Sequence, residues 1–107
     1  MLGINIEAIR NVCANGAIRW SAHVLKAFEK RGLSRQGVIS VINTGEVIED
    51  YPEDKPFPSC LVSGYNDNGC VQHVVCALGA GMLWMITTYI PDLEVWNDDL
   101  VTRREKE

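Results

Sequence analysis

The feature that most constrains this chain is a change of apolar period at Gly45, from about 3.6 residues before it to 2 after it. Upstream, Ile4, Ala8, Ile9, Val12 and Cys13 recur at helical spacing and stop at Asn15-Gly16, a pair suited to the left-handed turn that ends a helix. Ser21 is placed to cap a second helix with Leu25 and Phe28 inward, ending at Gly32. Ser34 is placed to cap a third, with Val38, Ile39, Val41 and Ile42 inward, ending at Gly45. Downstream, alternation predicts strands over 46–51, 59–65, 70–78 and 82–89. Pro52 to Pro58 forms a stiff surface loop that cannot supply continuous ladder donors, and Asn66-Asp67-Asn68-Gly69 and Gly79-Ala80-Gly81 have hairpin-turn chemistry. Helices first and a meander afterwards imply an α+β fold: two to three N-terminal helices packed on one face of a four-stranded antiparallel sheet.

A length of 107 residues with 47% hydrophobic side chains suits one domain, 1–107, with a core of its own. No apolar run approaches the roughly 18 to 20 residues that a membrane span needs, and the first residues lack a signal-like pattern, so a cytoplasmic location is expected. Cys13, Cys60, Cys70 and Cys76 contain no C-x-x-C pair and read as small core residues rather than a disulfide or zinc set. With two histidines and no ligand-type spacing, neither a metal nor a cofactor is expected.

The net charge of -4 hides an asymmetry. Residues 1–45 hold Arg10, Arg19, Lys26, Lys30, Arg31 and Arg35 against Glu7 and Glu29, a balance of +4; the remainder holds four basic and twelve acidic side chains, a balance of -8. A polarised domain can offer a basic face to an anion, although the total charge makes nucleic-acid binding weak and salt-sensitive. The acidic group Glu46, Glu49, Asp50, Glu53 and Asp54 reads as a solvated surface, because its spacing specifies no convergent oxygen cage.

Polar residues in an apolar hairpin mark the first candidate site. If Gly79 to Gly81 close the turn as three residues, Val75 lies opposite Met85, His73 opposite Thr87 and Val71 opposite Tyr89. One face then carries Leu61, Val74, Cys76, Leu78, Trp84, Ile86 and Ile90 and belongs to the helix-packed core. The other, partly open, carries Val62, Gly64, Val71, Val75 and Met85 with His73, Thr87 and Tyr89 gathered at one end. Histidine titrates near neutrality and serves as general acid or base, while a tyrosine hydroxyl can orient a phosphate. Such a trio suits metal-free RNA cleavage, in which the ribose 2'-hydroxyl attacks its own phosphate, with Arg103 or Arg104 supplying positive charge. A half-buried pair with satisfied hydrogen bonds is the structural alternative.

The second candidate is a basic stripe on the second helix: His23, Lys26 and Lys30 share one side, with Arg31 at its end, and could track a phosphate backbone. Trp96 reads as an anchor for the C-terminal segment, whose last residues, 103–107, are expected to fray.

Five ordered segments carry a resemblance: Trp20-Ser21-x-His23, Glu29-Lys30-Arg31-Gly32-Leu33-Ser34, Gly45 to Pro52, His73-Val74-Val75, and Thr87-x-Tyr89-x-Pro91-Asp92 followed by Trp96. Together, over about residues 18–104, they resemble the bacterial and archaeal domain of unknown function 4258 family. His23, Arg31, His73, Tyr89, Trp96 and Arg103 or Arg104 match its recurring polar and aromatic positions, and the resemblance assigns them no catalytic role. The family's helix-then-meander order is similar to that of small RelE and barnase-like RNase toxins, which implies a toxin-like, metal-independent endoribonuclease or RNA-binding protein, with RNA and an antitoxin-like protein as partners. The alternative is a non-catalytic interaction or homodimerisation module using Val62, Val71, Val75 and Met85 on the open sheet face.

Overall fold

Each helix starts where a short polar side chain can take up a free backbone N–H. Asn5 accepts from Glu7 to open α1 (Ile6–Ala14), Ser21 accepts from Val24 to open α2 (Ala22–Arg31), and Ser34 accepts from Gly37 to open α3 (Arg35–Thr44). Five strands accompany them in the structure, a computed structural model that describes residues 3–105: β1 (Ile18–Trp20), β2 (Glu46–Tyr51), β3 (Ser59–Tyr65), β4 (Val71–Gly79) and β5 (Met82–Tyr89). They form one mixed sheet in the order β1-β5-β4-β3-β2. Among the described residues, no helix is long and apolar enough to cross a membrane.

The expected four-stranded antiparallel sheet is therefore corrected to five strands with one parallel pair, β1 lying beside β5 with Ile18 against Leu83 and Trp20 against Met85. Three residues are too few to display a period, and their partner lies more than sixty residues downstream, so local pattern could not reveal the strand.

The core joins Ile9, Val24, Val38, Val41 and Ile42 from the helices to Cys60, Val62, Val74, Cys76, Leu83 and Met85 from the sheet. In α2 the inward stripe is Val24, Ala27 and Phe28, while Leu25 is 39% exposed, contrary to expectation. α3 lies so close to the sheet that a Cβ on Gly64 would stand 2.5 Å from the Val41 carbonyl oxygen.

Val62 and Met85, expected on the open face, are fully buried in this core, whereas Leu61 and Trp84 lie on the opposite side. For Met85 and Trp84 the cause is the β4–β5 turn; for Val62 and Leu61 it is the β3–β4 register, which pairs Val62 with Val74 and Leu61 with Val75. Ala80 and Gly81, both at positive φ (54° and 72°), close the hairpin as two residues, with Gly79 opposite Met82. That shorter turn alone would have reversed the pairing parity along the whole of β5. A β-bulge restores it: Cys76 pairs with Met85, the next pair is Val75 with Thr87, and Ile86 is the extra residue between them. His73 thus pairs with Tyr89, not Thr87, and Trp84, Thr87 and Tyr89 share the face away from the helices.

Ser21 holds this bulge. Its N–H donates to the Met85 carbonyl at 3.2 Å and its hydroxyl donates to the Ile86 carbonyl at 3.0 Å, while the same oxygen accepts the Val24 N–H at 3.0 Å. One side chain therefore caps α2 and joins it to the irregular point of β5.

The far face is not open. Residues 91–104 fold over its β4–β5 end with Trp96 only 2% exposed, and the loop after β2 covers the other end, where Phe57 stacks on Trp84 at 5.7 Å. Substituting Ser21→Ala removes both the cap and the bulge bond, and a loss of about 2 kcal/mol is expected in urea unfolding. Ser21→Asp keeps an acceptor for the cap but cannot donate to Ile86, so it should recover only part of that loss.

Candidate functional site

On the far face His73 stands between Ser63 and Tyr89 in the ladder, with no solvent exposure. Its Nε2 is 2.7 Å from the Leu100 carbonyl oxygen, which can only accept, so Nε2 carries a proton. Burial pushes the His73 pKa below its usual value and keeps the ring neutral, against the upward pull of the Leu100 hydrogen bond and of Glu49. Nδ1 is then a free acceptor, and the Tyr89 hydroxyl at 3.3 Å donates to it. Burial in turn raises the Tyr89 pKa.

Trp96 closes this pair off. Its ring and that of His73 meet edge to face with centroids 4.7 Å apart, and the Arg103 guanidinium lies over the Trp96 ring, 4.6 Å from its centroid. Arg103 is held by Glu49 through a two-pronged ion pair, Nε to Oε2 at 2.8 Å and Nη2 to Oε1 at 3.1 Å, and Tyr51 donates its hydroxyl to the same Oε1. The Arg103 hydrogen bond holds the Glu49 carboxyl below its ordinary pKa, whereas burial and then the Glu49 bond push Tyr51 up to about 12.

Beside this cluster opens a pocket of about 400 Å³ whose polar lining is Arg31, Tyr89, Asp92 and Arg103 against Trp96. Arg31 reaches it from the end of α2, its Nη1 donating to the Thr88 carbonyl at 3.0 Å. Two arginines from distant parts of the chain and a tyrosine therefore line one pocket, with Asp92 offsetting part of the charge. Arg31 also borders a shallow cavity of about 110 Å³ with His23, Lys26 and Lys30, so the α2 stripe runs up to the larger pocket.

The predicted residues thus divide. His73 joins Tyr89, and Arg31 and Arg103 line one pocket with that tyrosine. Thr87 pairs with Val75 instead and is not part of the His73 cluster. Arg104 turns away, its Nε donating to the Leu93 carbonyl and its Nη2 lying 3.3 Å from Asp98. The expected fraying fails at residues 103 and 104, because Arg103 is paired to Glu49 and bridged to Trp96; Lys106 and Glu107 lie outside the described residues.

Five participants escaped sequence reasoning: Glu49 and Tyr51 on the far face, and Asn66, Gln72 and Thr88 on the helix side. Glu49 looked solvated among its acidic neighbours, but the β2 register turns it, with Tyr51, toward Arg103. On the helix side, Gln72 and Thr88 are fully buried: Gln72 Nε2 donates to Thr88 Oγ1 at 2.7 Å, Thr88 donates to the His73 carbonyl at 2.7 Å, and Asn66 Nδ2 donates to Gln72 Oε1 at 3.0 Å. This chain ties the first hairpin turn to the backbone of the histidine. The available signal was a glutamine beside His73 in an otherwise apolar strand.

The chain belongs to the family described as Domain of unknown function (DUF4258), whose model matches residues 20–90. No curated protein and no solved structure matches it, so the likeness to RelE and barnase-like toxins has no structural neighbour behind it. Arg31, Glu49, His73 and Tyr89 lie inside the matched span, whereas Trp96 and Arg103 lie beyond it.

Because the native His73 pKa is lowered, its contribution to stability is complete above the unfolded value of 6.5 and is lost as pH falls from there toward the lower native value. Glu49, also lowered, adds a further loss below 4.5. Urea midpoints should therefore drop between pH 7.5 and pH 5.5, and the drop should be smaller in His73→Gln. An equal drop in both proteins would show that His73 does not carry it.

Proposed function

We propose that this member of the family binds RNA, holding a backbone phosphate between Arg31 and Arg103 against Tyr89 while the basic face of α2 follows the neighbouring phosphates. The convergence of these two guanidiniums on one pocket, 72 residues apart in sequence, is the observation that carries this reading. Arg31 uses one N–H on Thr88 and Arg103 uses two on Glu49, which leaves further donors on each guanidinium for an anion. His23, Lys26 and Lys30 supply positive charge along the approach.

Binding is better supported than cleavage. A 2'-hydroxyl proton would have to pass to Tyr89 or His73, yet burial disfavours both the phenolate and the imidazolium. Metal-independent cleavage remains the second reading because the Tyr89 hydroxyl already points its proton at His73 Nδ1, a short path by which acid and base could be coupled. The alternative of an interaction module keeps only Val71 and Val75 of the patch first assigned to it, since Val62 and Met85 are in the core.

Anisotropy of a labelled single-stranded RNA in excess chelator, across a monovalent salt series, tests the proposal. Arg31→Gln is expected to weaken binding about tenfold and to lower the salt slope by about 1. No binding by the parent at low salt would sink it. Gel analysis of the same mixtures decides between the two readings: fragments formed by the parent and absent with His73→Gln would establish cleavage, and intact RNA would leave binding alone.

A further inference from the structure

A second and larger cavity, of about 460 Å³, lies on the far face where β1 and β5 meet the loop after β2. Its floor and walls include Trp84, Ala77 and Ile86 from the sheet and Pro56 and Phe57 from the loop, with Arg19 and Lys55 at its margin. We infer that this cavity is a nucleobase subsite, in which a flat heteroaromatic ring stacks on the Trp84–Phe57 pair while Arg19 meets the attached sugar-phosphate. The inference rests on the RNA-binding reading and adds a place for a base to its phosphate pocket.

Shape and charge both favour that occupant. Trp84 and Phe57 are close to parallel, 30° apart with centroids 5.7 Å from each other, so a ring system is already present to stack upon. The stack is held in place: the Trp84 indole N–H donates to the Gly79 carbonyl at 3.0 Å, and Phe57 lies where a side chain on Gly79 would stand. Rigid aromatic surface of this kind costs little ordering entropy when a base arrives. A neutral acyl chain would fill the apolar part equally well but would give no anion to the exposed Arg19, which lies directly beside Trp84 in the β1–β5 pairing. A nucleotide satisfies both, with an uncharged flat ring for the apolar wall and a phosphate for the guanidinium. Asp54 lines the cavity as well, and its carboxylate accepts from the Ser59 hydroxyl.

Continuity with the phosphate pocket supplies the third argument. The bulge at Ile86 keeps Trp84 and Tyr89 on one face of β5, and five residue steps along the strand separate them by roughly 16 Å, within reach of a short oligonucleotide. Without the bulge, a base on Trp84 and a phosphate on Tyr89 would lie on opposite sides of the sheet.

The test follows the indole N–H of Trp84 by NMR, assigned by its disappearance in Trp84→Phe. Titration with a short single-stranded RNA is expected to shift that resonance, and an abasic oligonucleotide of the same length is expected to bind more weakly and leave it in place. Arg19→Gln, an exposed change that spares the fold, should weaken the base-bearing oligonucleotide several-fold and the abasic one by less, because without a base nothing holds its phosphate at Arg19. Adenosine, which has no phosphate, separates the two proposals: a Trp84 shift with adenosine but no binding of any oligonucleotide would uphold the base subsite and overturn the phosphate reading. Equal binding of base-bearing and abasic strands, or a Trp84 resonance unmoved by both RNA and adenosine, would overturn the subsite.

Discussion

The hydroxyl of Ser21 is the contact on which most of the arrangement depends. As acceptor it starts α2, and as donor it holds the carbonyl of Ile86, the extra residue of the β5 bulge. Starting α2 at that point carries its last residue, Arg31, to the Thr88 carbonyl and to the pocket beside Tyr89. The bulge keeps Trp84, Thr87 and Tyr89 on the face away from the helices, so His73 finds Tyr89 across the ladder. A hairpin turn of two residues and an insertion of one act together, and neither alone produces this face.

The second consequence is electrostatic. A sheet with helices on one side exposes its other side to water unless something folds over it. Here the segment after β5 does so, and its contacts are largely polar or aromatic: Leu100 to His73, Trp96 against the imidazole, and Arg103 to Glu49. Covering a histidine in this way keeps it neutral and settles its tautomer, which makes it a fixed acceptor for the Tyr89 hydroxyl. The positive charge near the site is carried by groups with solvent at hand, Arg31 and Arg103, and not by the histidine, which is why the proposed role is to hold an anion.

Much of the fold was legible in the chain. The helix starts at Ser21 and Ser34, the helix end at Gly32, the change to strands after Gly45 and the anchoring of Trp96 all rest on chemistry within a few residues, and the structure bears them out. Of the candidate site, His73, Tyr89, Arg31 and Arg103 were recognisable as chemistry-bearing residues, and the pairing of His73 with Thr87 was wrong. Thr87 and Tyr89 do fall on the His73 face, but through a two-residue turn and a bulge whose effects on parity cancel, not through a three-residue turn. The two-residue turn puts Met85 on the helix side, and the β3–β4 register independently puts Val62 there, because one residue of slip transfers every alternate side chain between faces. Glu49 could not be told from the solvated carboxylates around it, since its distinction is a partner 54 residues away.

What the sequence by itself determined was the three helices and the four strands after Gly45, in their order, because capping, periodicity and turn preference act between neighbours along the chain. Only the tertiary structure decided which residues meet. β1 beside β5, the bulge at Ile86, the cover over His73 and the convergence of Arg31 with Arg103 each depend on contacts between segments tens of residues apart. Such contacts are selected by how whole surfaces pack, and a one-residue shift with the same local pattern would assemble a different site.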